Sequence, residues 1–248
     1  EFLDKKLNEI EACRMHYNFV FLKNDELTKK EILKNFIVEF TFNTTSIEGN
    51  TIKINEARNL LEQGITPKNR ELREVYDVQN NEKVFLEIFN SLPEISHETI
   101  ILIHKELMRN IDVRTGYRNS DVRVIKSNFK STPAPYVKTD IDILLRWFNE
   151  NKKIMHPFVL AVIFHHKFEK IHPFMDGNGR TGRMLLNIIL LKEGYFPIII
   201  RKKSRQNYLK TLRNADSSGI KESKLELYKE LIQFCSSEVT GSYWNIFL

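Results

Sequence analysis

Residues 172–183 hold the side chains in this sequence that could do chemistry, and they read His-Pro-Phe-Met-Asp-Gly-Asn-Gly-Arg-Thr-Gly-Arg. A loop should turn into a helix here. The backbone N–H groups around Gly177 to Gly179 would then form an anion cradle at the helix N-terminus. Arg180 and Arg183, three positions apart, would flank the same anion. The spacing therefore predicts a site that handles phosphate.

Two further side chains of this stretch suit phosphate chemistry. Asp176 offers the hard oxygen ligand that Mg²⁺ prefers, and His172 titrates near neutral pH and could take a proton from an incoming hydroxyl. Two arginines in the first turn of a helix oppose its dipole, at a cost of about 0.3 to 1 kcal/mol each. A bound polyanion reverses that cost.

Two simpler explanations compete with a catalytic loop. Residues 177–182 satisfy the G-x-G-x-x-G pattern of dinucleotide folds, but no buried strand precedes them and no alternating strands follow. A structural turn between two core helices would explain the glycines without explaining the charged residues. The tripeptide His156-Pro157-Phe158 repeats the start of the stretch without its continuation, so His156 is expected to be only a helix cap.

Bulk composition narrows the class of protein. The chain has 248 residues, is 42% hydrophobic and carries a net charge of +6. Its lysines are interspersed with glutamates, so we expect solvated helix faces and no nucleic-acid partner. Two cysteines, Cys13 and Cys235, are too few for a disulfide framework and fit a cytoplasmic location. No apolar run approaches the roughly 20 residues of a membrane span, and we see no signal peptide.

Apolar periodicity predicts helices along almost the whole chain. Residues 112–138 lose that period, and within them 122–125 and 136–137 are predicted to pair as a small β-hairpin. We therefore expect an all-α bundle with a hairpin flap, divided into an N-terminal helical region (1–65) and a core (66–248). The predicted helices are 2–20, one opening at the capping box Thr28–Glu31, 55–64, one from Thr66-Pro67 to Pro93, one capped by Ser96, one opening at Thr139–Asp142, 156–168, 180–193 with Gly194 as cap, 204–212 and 222–239.

The stretch 172–183 resembles the signature of the Fic family, His-x-Phe-x-(Asp/Glu)-Gly-Asn-Gly-Arg-x-x-Arg, at every fixed position. Gly116-Tyr117-Arg118 and residues 208–212 add to the resemblance, and residues 122–137 resemble the family's target-docking flap. The resemblance implies a Fic-type helical bundle that transfers AMP from ATP to a Ser, Thr or Tyr hydroxyl of a protein.

The same resemblance implies a role for each residue of the signature. His172 would be the general base, and Asp176 would hold Mg²⁺ against the phosphates. Gly177, Asn178 and Gly179 would form the anion hole. Arg180 and Arg183 would bind the β- and γ-phosphates. The kinase-like branch of the family has lysine at the position of Gly179, so this glycine favours nucleotidyl transfer.

A second pattern lies far upstream, in residues 44–49. Thr44, Glu48 and Gly49 fit the family's inhibitory pattern (Ser/Thr)-x-x-x-Glu-(Gly/Asn), whose glutamate pairs with the second arginine of the signature. By this resemblance Glu48 would neutralise Arg183 in the empty site and keep the γ-phosphate of ATP from docking productively. The sequence therefore predicts autoinhibition.

Recognition of the adenine base is predicted at Tyr208, again by resemblance. Packing within the helix that contains it is an equally good explanation of this tyrosine. Some relatives carry asparagine after the residue equivalent to Ala215, where this chain has Asp216.

Three functions remain open from the sequence. The first is a regulated protein adenylyltransferase that modifies a target docked on the 122–137 flap, with self-modification and a homo-oligomer as further options. The second is an enzyme of the same fold that removes AMP or transfers another phosphate-containing group. The third is an idle module that binds a peptide by strand addition at the flap. An intact His172 and Asp176 argue against the idle module.

Overall fold

Ten α helices make up the computed structural model, which describes residues 2–122, 130–221 and 224–247, and no β strand occurs in those ranges. Three short 3₁₀ turns lie between helices, at Phe21–Lys23, Ala134–Tyr136 and Lys202–Ser204. The helices are α1 (Phe2–Phe19), α2 (Glu26–Ile47), α3 (Ile54–Gln63), α4 (Leu72–Ser91), α5 (His97–Leu107), α6 (Val137–Asn151), α7 (Pro157–Ile171), α8 (Asn178–Lys192), α9 (Arg205–Asn214) and α10 (Leu225–Phe247).

Helices α7 and α8 form the centre of the bundle. Residues 158–168 of α7 and 180–191 of α8 are buried on all sides, as expected for helices whose sequences are apolar around the whole circumference. The two helices pack against each other, with α6 and α10 against α7 and with α4 and α5 against α8. The loop that joins α7 to α8 is therefore held at both ends by helices that are buried on all sides.

The N-terminal helices pack on this centre. The largest hydrophobic cluster contains Phe36 and Phe40 of α2 together with Phe85 of α4 and residues of α7 and α8. Helix α2 also contacts α8, and residues 43–47 of its last turns are buried. Helix α1 lies along α10. The cluster thus draws on both sides of residue 65, and the division of the chain at that residue stays a prediction.

Four predicted helix ends agree with the structure. Gly64 ends α3 with a left-handed φ of 69°, Pro93 follows the end of α4, and the Ser96 side chain accepts a hydrogen bond from the Thr99 amide at the start of α5. His156 caps α7 by accepting from the Phe158 amide. Residues 196–200 have no regular secondary structure, and the Asn187 side chain accepts from the Ile198 amide and donates to the Ile198 carbonyl.

Several helix boundaries differ from the prediction. Helix α2 begins at Glu26 because Asp25, a stronger N-cap than Thr28, accepts from the Thr28 amide at 3.0 Å. Helix α4 begins at Leu72 and not at Pro67, since Arg70 is held in the preceding loop by Glu56 of α3 at 2.8 Å. Helix α6 begins two residues earlier than predicted, and α10 continues to Phe247.

The predicted hairpin flap is wrong in its second arm. Tyr136 ends a 3₁₀ turn and Val137 opens α6, so neither can serve as a strand partner. Pro133 and Pro135 explain the difference, because proline fixes φ near the helical value and donates no hydrogen bond to a sheet ladder. Residues 123–129, most of the first arm, lie outside the described ranges.

The helices in the described ranges include none that is both long enough and apolar enough to span a bilayer.

Candidate active site

The loop between α7 and α8 is closed by the side chain of Asn178. Its Oδ1 accepts from the Phe174 amide at 2.8 Å, and its Nδ2 donates to the Phe174 carbonyl at 2.9 Å. Both functional atoms of this amide are thus used inside the loop. Gly177 follows the turn with a φ of 78°, a conformation that glycine adopts without strain. The structure assigns Asn178 to holding the loop, so any anion contact by this residue comes from its backbone.

The N-terminus of α8 opens directly from this loop. Gly177 is the N-cap, and no side chain in the described part of the chain caps the helix. The amide of Gly177 itself donates to Asp176 Oδ1 at 2.6 Å. The first turn of α8 therefore keeps the positive end of its dipole for a ligand, with Gly179 on the wall of a cavity.

Asp176 lies between two arginines. Its Oδ2 is 2.5 Å from Arg73 Nη2 of α4, and its Oδ1 is 3.3 Å from Arg180 Nη2. Burial by itself raises the pKa of Asp176, but the charges of Arg180 and Arg73 and the Gly177 N–H outweigh it, so the net pKa is lowered. Asp176 is therefore ionised at neutral pH. Arg73 was not found from the sequence, where it is one of many charges on the exposed side of a helix.

His104 of α5 contacts two residues of the same loop, Phe174 and Asp176. Its ring stacks on Phe174 with 3.6 Å between centroids, and its Nε2 donates to the Asp176 carbonyl at 3.0 Å. Burial lowers the pKa of His104 to about 4, so the ring is neutral and carries its proton on Nε2 for this bond. This role could not be predicted from the sequence, where His104 is only a histidine on the apolar face of a helix.

Arg180 is anchored in the protein by a buried ion pair. Its Nη1 donates to Asp77 Oδ1 of α4 at 2.5 Å, and the two side chains are only 4% and 9% exposed. The second oxygen of Asp77 accepts from Asn50 Nδ2 at 3.2 Å. Asp77 could have been noticed in the sequence as a carboxylate beside the apolar residues Val75 and Val78.

Arg183 is held by residues of the upstream pattern. Its Nε donates to Thr44 Oγ1 at 2.7 Å, and its Nη2 donates to the Thr44 carbonyl at 3.0 Å and to Glu48 Oε1 at 2.7 Å. Glu48 is the C-cap residue of α2, and Gly49 leaves the helix with a φ of 110°. The structure thus brings the two sequence patterns into direct contact.

Glu48 lies against the first turn of α8. A Cβ at Gly179 would fall onto Glu48 Oε1 and lie 2.9 Å from Arg183 Nη1, so only glycine leaves room for the pair. Burial tends to raise the pKa of Glu48, but the charges of Arg183 and Arg180 lower it further, and the net pKa lies below the ordinary value. Glu48 is therefore ionised, and its charge occupies the place where an anion would meet the helix.

His172 ends α7 in the left-handed conformation, with a φ of 54° that is uncommon for a residue with a side chain. Arg118 holds the backbone on both sides of this bend. Its Nε donates to the His172 carbonyl at 2.8 Å, and its amide donates to the Pro173 carbonyl at 2.9 Å. The pKa of His172 is lowered, chiefly by burial and in part by the charge of Arg118, so the imidazole is neutral at pH 7 and can accept a proton.

Arg118 also contacts the backbone just before the segment predicted to dock targets and at one residue within it. Its Nη1 donates to the Ser120 carbonyl at 3.0 Å, and its Nη2 donates to the Thr132 carbonyl. The guanidinium, with no exposed side-chain surface, joins residues before and after 123–129 to the backbone of His172. Arg118 was noted in the sequence only as part of a resemblance, without a role.

A cavity of about 910 Å³ opens beside these residues. Of the residues predicted to act in the site, His172, Gly179, Arg183, Tyr208 and Glu48 line it, whereas Asp176, Gly177, Asn178, Arg180, Thr44 and Gly49 do not. Six cationic side chains line the cavity, against three carboxylic ones, so it suits a polyanion. The cationic residues are Lys170, Arg183, Lys203, Arg205, Lys210 and Arg213.

Tyr208 lines this cavity, and its side chain is also packed inside the protein. Its side chain is buried, its hydroxyl lies 2.5 Å from His165 Nε2, and its ring lies parallel to the His165 ring. Asp216, which also lines the cavity, pairs with His166 Nε2 at 3.1 Å. Tyr208 is therefore held rigidly at the cavity wall, and its part in binding a base stays a prediction.

The donor set fits a magnesium ion only if the ion arrives with phosphates. No group of three or more His, Cys, Asp or Glu side chains that could hold a metal occurs among the described residues. Magnesium bound to a nucleotide needs only one or two protein carboxylates, because phosphates and water fill its other positions. Asp176, ionised and 37% exposed, meets that requirement if Arg73 or Arg180 releases one of its oxygens.

Comparison with known proteins shows which family this chain resembles. Residues 94–190 match the model of the Fic/DOC family. The chain is 27% identical over 223 residues to protein adenylyltransferase fic-1 of Caenorhabditis elegans. The aligned region covers 88% of this chain and 43% of that protein. It is 31% identical over 231 residues to protein adenylyltransferase Fic of Drosophila ananassae. That aligned region covers 89% of this chain and 44% of the relative. The chain thus spans less than half the length of these relatives.

Solved structures share the whole fold. A Fic domain containing signaling protein from Bacteroides thetaiotaomicron superposes with a TM-score of 0.86 at 21% identity, covering 100% of this chain and 97% of that one. Fic-1 of C. elegans superposes with a TM-score of 0.84 at 25% identity, covering 99% of this chain and 72% of that one. The similarity extends over the N-terminal helices and is not restricted to residues 94–190.

Proposed function

The chain belongs to the Fic/DOC family, and from that premise we propose that it transfers AMP from ATP to a hydroxyl side chain of a protein and that Glu48 restrains this activity. One observation carries the proposal: His172, the first turn of α8 and Arg183 face a single cationic cavity, and Glu48 is paired with that arginine inside it. The relatives named above are protein adenylyltransferases.

In the proposed reaction, the hydroxyl oxygen of a target Ser, Thr or Tyr attacks the α-phosphorus of ATP. His172 takes the hydroxyl proton, the bond between the α-phosphorus and the bridging oxygen breaks, and pyrophosphate leaves with the electron pair. The lowered pKa of His172, caused chiefly by its burial, keeps the imidazole in the neutral form that a general base requires.

The phosphates would be held by the start of α8. Its backbone dipole and the N–H groups near Gly179 attract the charge that develops at the α-phosphate. Arg183 would bind a terminal phosphate. Arg180, held by Asp77, would contribute positive charge near the phosphates. Magnesium bound with the nucleotide would neutralise phosphate charge and the departing pyrophosphate, and Asp176 is the residue that we assign to it.

Glu48 would restrain the enzyme by occupying Arg183. An ionised carboxylate that is 2.7 Å from the guanidinium competes directly with a phosphate oxygen for the same donor. It also places a negative charge at the helix N-terminus, where the nucleotide must bind. ATP could then bind productively only when Glu48 withdraws, so α2 would act as the regulatory element.

Removal of AMP from a modified protein is the second function that the geometry favours. Glu48 shares the cavity with His172, and an ionised carboxylate there could orient a water molecule. We further propose that the target docks along residues 122–137, because Arg118 joins Ser120, just before this segment, and Thr132, within it, to the backbone of His172.

Parallel incubations with ATP labelled on either the α- or the γ-phosphate, with Mg²⁺, test the proposal. Wild type, Glu48→Gly and His172→Ala would be compared by label transfer and by intact mass. Transfer of the α-label alone, greatest for Glu48→Gly and lost in His172→Ala, supports adenylyl transfer. Transfer of the γ-label would indicate a kinase, and release of AMP from premodified protein would indicate the reverse activity. An absence of transfer and of ATP binding in every variant would exclude the proposed reaction.

A further inference from the structure

Glu169 carries an unpaired oxygen at the wall of the nucleotide-sized cavity. It lies in the last turn of α7, three residues before His172, and lines the cavity with Glu48 and Arg183. Its Oε1 is shielded from solvent and has no hydrogen-bond partner among the described residues. A buried polar atom without a hydrogen-bond partner destabilises the folded protein. Glu169 as a residue borders the cavity, so a rotation of its carboxyl group would bring this unsatisfied oxygen to a ligand bound there.

The backbone of α8 leaves room for this carboxyl group at Gly182. A Cβ added there would lie 2.5 Å from Glu169 Oε1 and 2.9 Å from His165 Nδ1, a second buried atom without a hydrogen-bond partner. The carboxyl group thus rests against the helix backbone one residue before Arg183. Its position depends on residue 182 having no side chain.

Charged and titratable groups from four helices surround Glu169. Arg183 of α8 favours its ionisation, whereas Glu48 at the end of α2 opposes it, and His165 of α7 and Tyr208 of α9 lie close by. Burial and the repulsion from Glu48 prevail over Arg183 and raise the pKa of Glu169 to about 8. At neutral pH the group is therefore mainly a neutral acid with one O–H to donate.

We propose that Glu169 is a nucleotide-binding residue that donates a hydrogen bond, as a neutral carboxylic acid, to a phosphate oxygen of the nucleotide in this cavity. The inference rests on the proposed function, because it takes the polyanion to be ATP. A carboxylate at this position would repel the phosphates, whereas the protonated acid adds a donor beside Arg183. The two glutamates of the cavity then have opposite roles: Glu48 must leave when the nucleotide enters, and Glu169 stays.

A direct binding measurement tests the contact without depending on transfer. The parent protein would be the full chain with Glu48→Gly and His172→Ala, and the probe would be ATP with Mg²⁺ in isothermal titration calorimetry at pH 7. Adding Glu169→Gln, which keeps a donor of the same shape, should change the Kd by no more than about twofold. Adding Glu169→Leu should weaken binding about tenfold or more, as expected for one hydrogen bond to a charged group. Equal affinity of the leucine variant and the parent overturns the proposal.

A second variant keeps the carboxyl group but moves it. Gly182→Ala should displace Glu169 Oε1 and weaken ATP binding by up to about tenfold, with Glu169 unchanged in sequence. Thermal unfolding of each variant shows whether it is folded at the temperature of the titration. Unchanged affinity in the folded alanine variant counts against the contact.

The pH dependence separates hydrogen bonding from packing. Between pH 6 and 9 the affinity of the parent should fall as Glu169 ionises, by about tenfold for each unit above its pKa, and the fall should begin below pH 8 because Glu48 is absent. Glu169→Gln should lack this component, and parallel profiles of the two proteins overturn the proposal. Failure of the parent to bind ATP at all overturns the proposed function together with this contact, whereas normal binding by the leucine variant overturns the contact alone.

Discussion

Glu48 Oε1 and Arg183 Nη2 lie 2.7 Å apart, although 135 positions separate the two residues in the sequence. The same guanidinium is held independently by the hydroxyl and the carbonyl of Thr44. Removing the carboxylate therefore leaves Arg183 oriented and its Nη2 available to another acceptor. This division of contacts makes Glu48 and Thr44 separable by mutation.

Glu48→Gly should raise the rate of AMP transfer by about 5- to 150-fold, the range of a coupling free energy of 1 to 3 kcal/mol. Glu48→Gln, which keeps the shape but removes the charge, should give a smaller increase. Initial rates with α-labelled ATP measure both. Glu31→Gln, an exposed change on the same helix, is the control. A rate unchanged by Glu48→Gly would contradict the regulatory role of the pair.

Thr44→Val should act in the opposite direction. It removes the hydroxyl that accepts from Arg183 Nε and leaves that donor without its side-chain partner in a buried place. In the Glu48→Gly background we expect the KM for ATP to rise about tenfold, since the arginine loses one of the contacts that orient it. If Thr44→Val instead activates the wild-type chain as strongly as Glu48→Gly does, the two residues are not separable.

His172→Ala and His156→Ala form a matched pair, because each histidine precedes Pro-Phe in the sequence. The first should abolish transfer without greatly changing stability. The second should leave transfer intact but lower the free energy of unfolding by about 1 kcal/mol, since the His156 side chain caps α7. Label transfer and urea denaturation measured on both proteins check the prediction. Loss of activity in both variants at full stability would contradict it.

Arg118→Met should lower kcat while leaving the KM for ATP within about twofold, because Arg118 contacts the backbone of His172 and does not line the cavity proposed to hold ATP. Its positive charge also contributes to the lowered pKa of His172, after the larger effect of burial. Removing that charge raises the pKa, so the acid limb of the pH–rate profile should move to higher pH.

Arg118→Lys is the control for Arg118→Met, as it keeps the charge but not the several hydrogen bonds. It should lower kcat with a smaller shift of the acid limb. Identical pH profiles for wild type and the methionine variant would show that Arg118 supports only the fold.

Asp77→Ala should destabilise the protein by about 3 kcal/mol or somewhat more, since it leaves the buried Arg180 without its main counter-charge. Urea denaturation measures the change. Glu87→Ala removes one partner of the exposed pair with Lys83, whose side chains are 56% and 50% exposed, and should cost less than about 0.5 kcal/mol. Similar losses in both variants would mean that Asp77 and Arg180 form no effective buried pair.

The local patterns of the sequence were sufficient for much of the fold. Caps such as Ser96, His156 and Gly64 depend on contacts within a few residues, and so they were predicted correctly. The errors in the predicted helix boundaries arose where a contact with a residue far away in the sequence determined the local structure. Arg70 is held by Glu56 of another helix, and the start of α4 moved accordingly. The predicted second strand at residues 136–137 is instead part of a helical turn that begins after Pro133 and leads into α6.

The sequence by itself determined which residues compose the proposed active-site stretch, because the twelve residues 172–183 are adjacent and their spacing around one helix start follows from helix geometry alone. It also identified Glu48 as the partner of Arg183, although only through resemblance. The packing of α2, α4, α5 and α7 around α8 decided the rest: Asp77 behind Arg180, His104 beneath Asp176, Arg118 at His172, and Glu169 unpaired at the cavity wall. Those contacts depend on distances between helices far apart in the chain, and local periodicity carries no information about which side chains meet across such an interface.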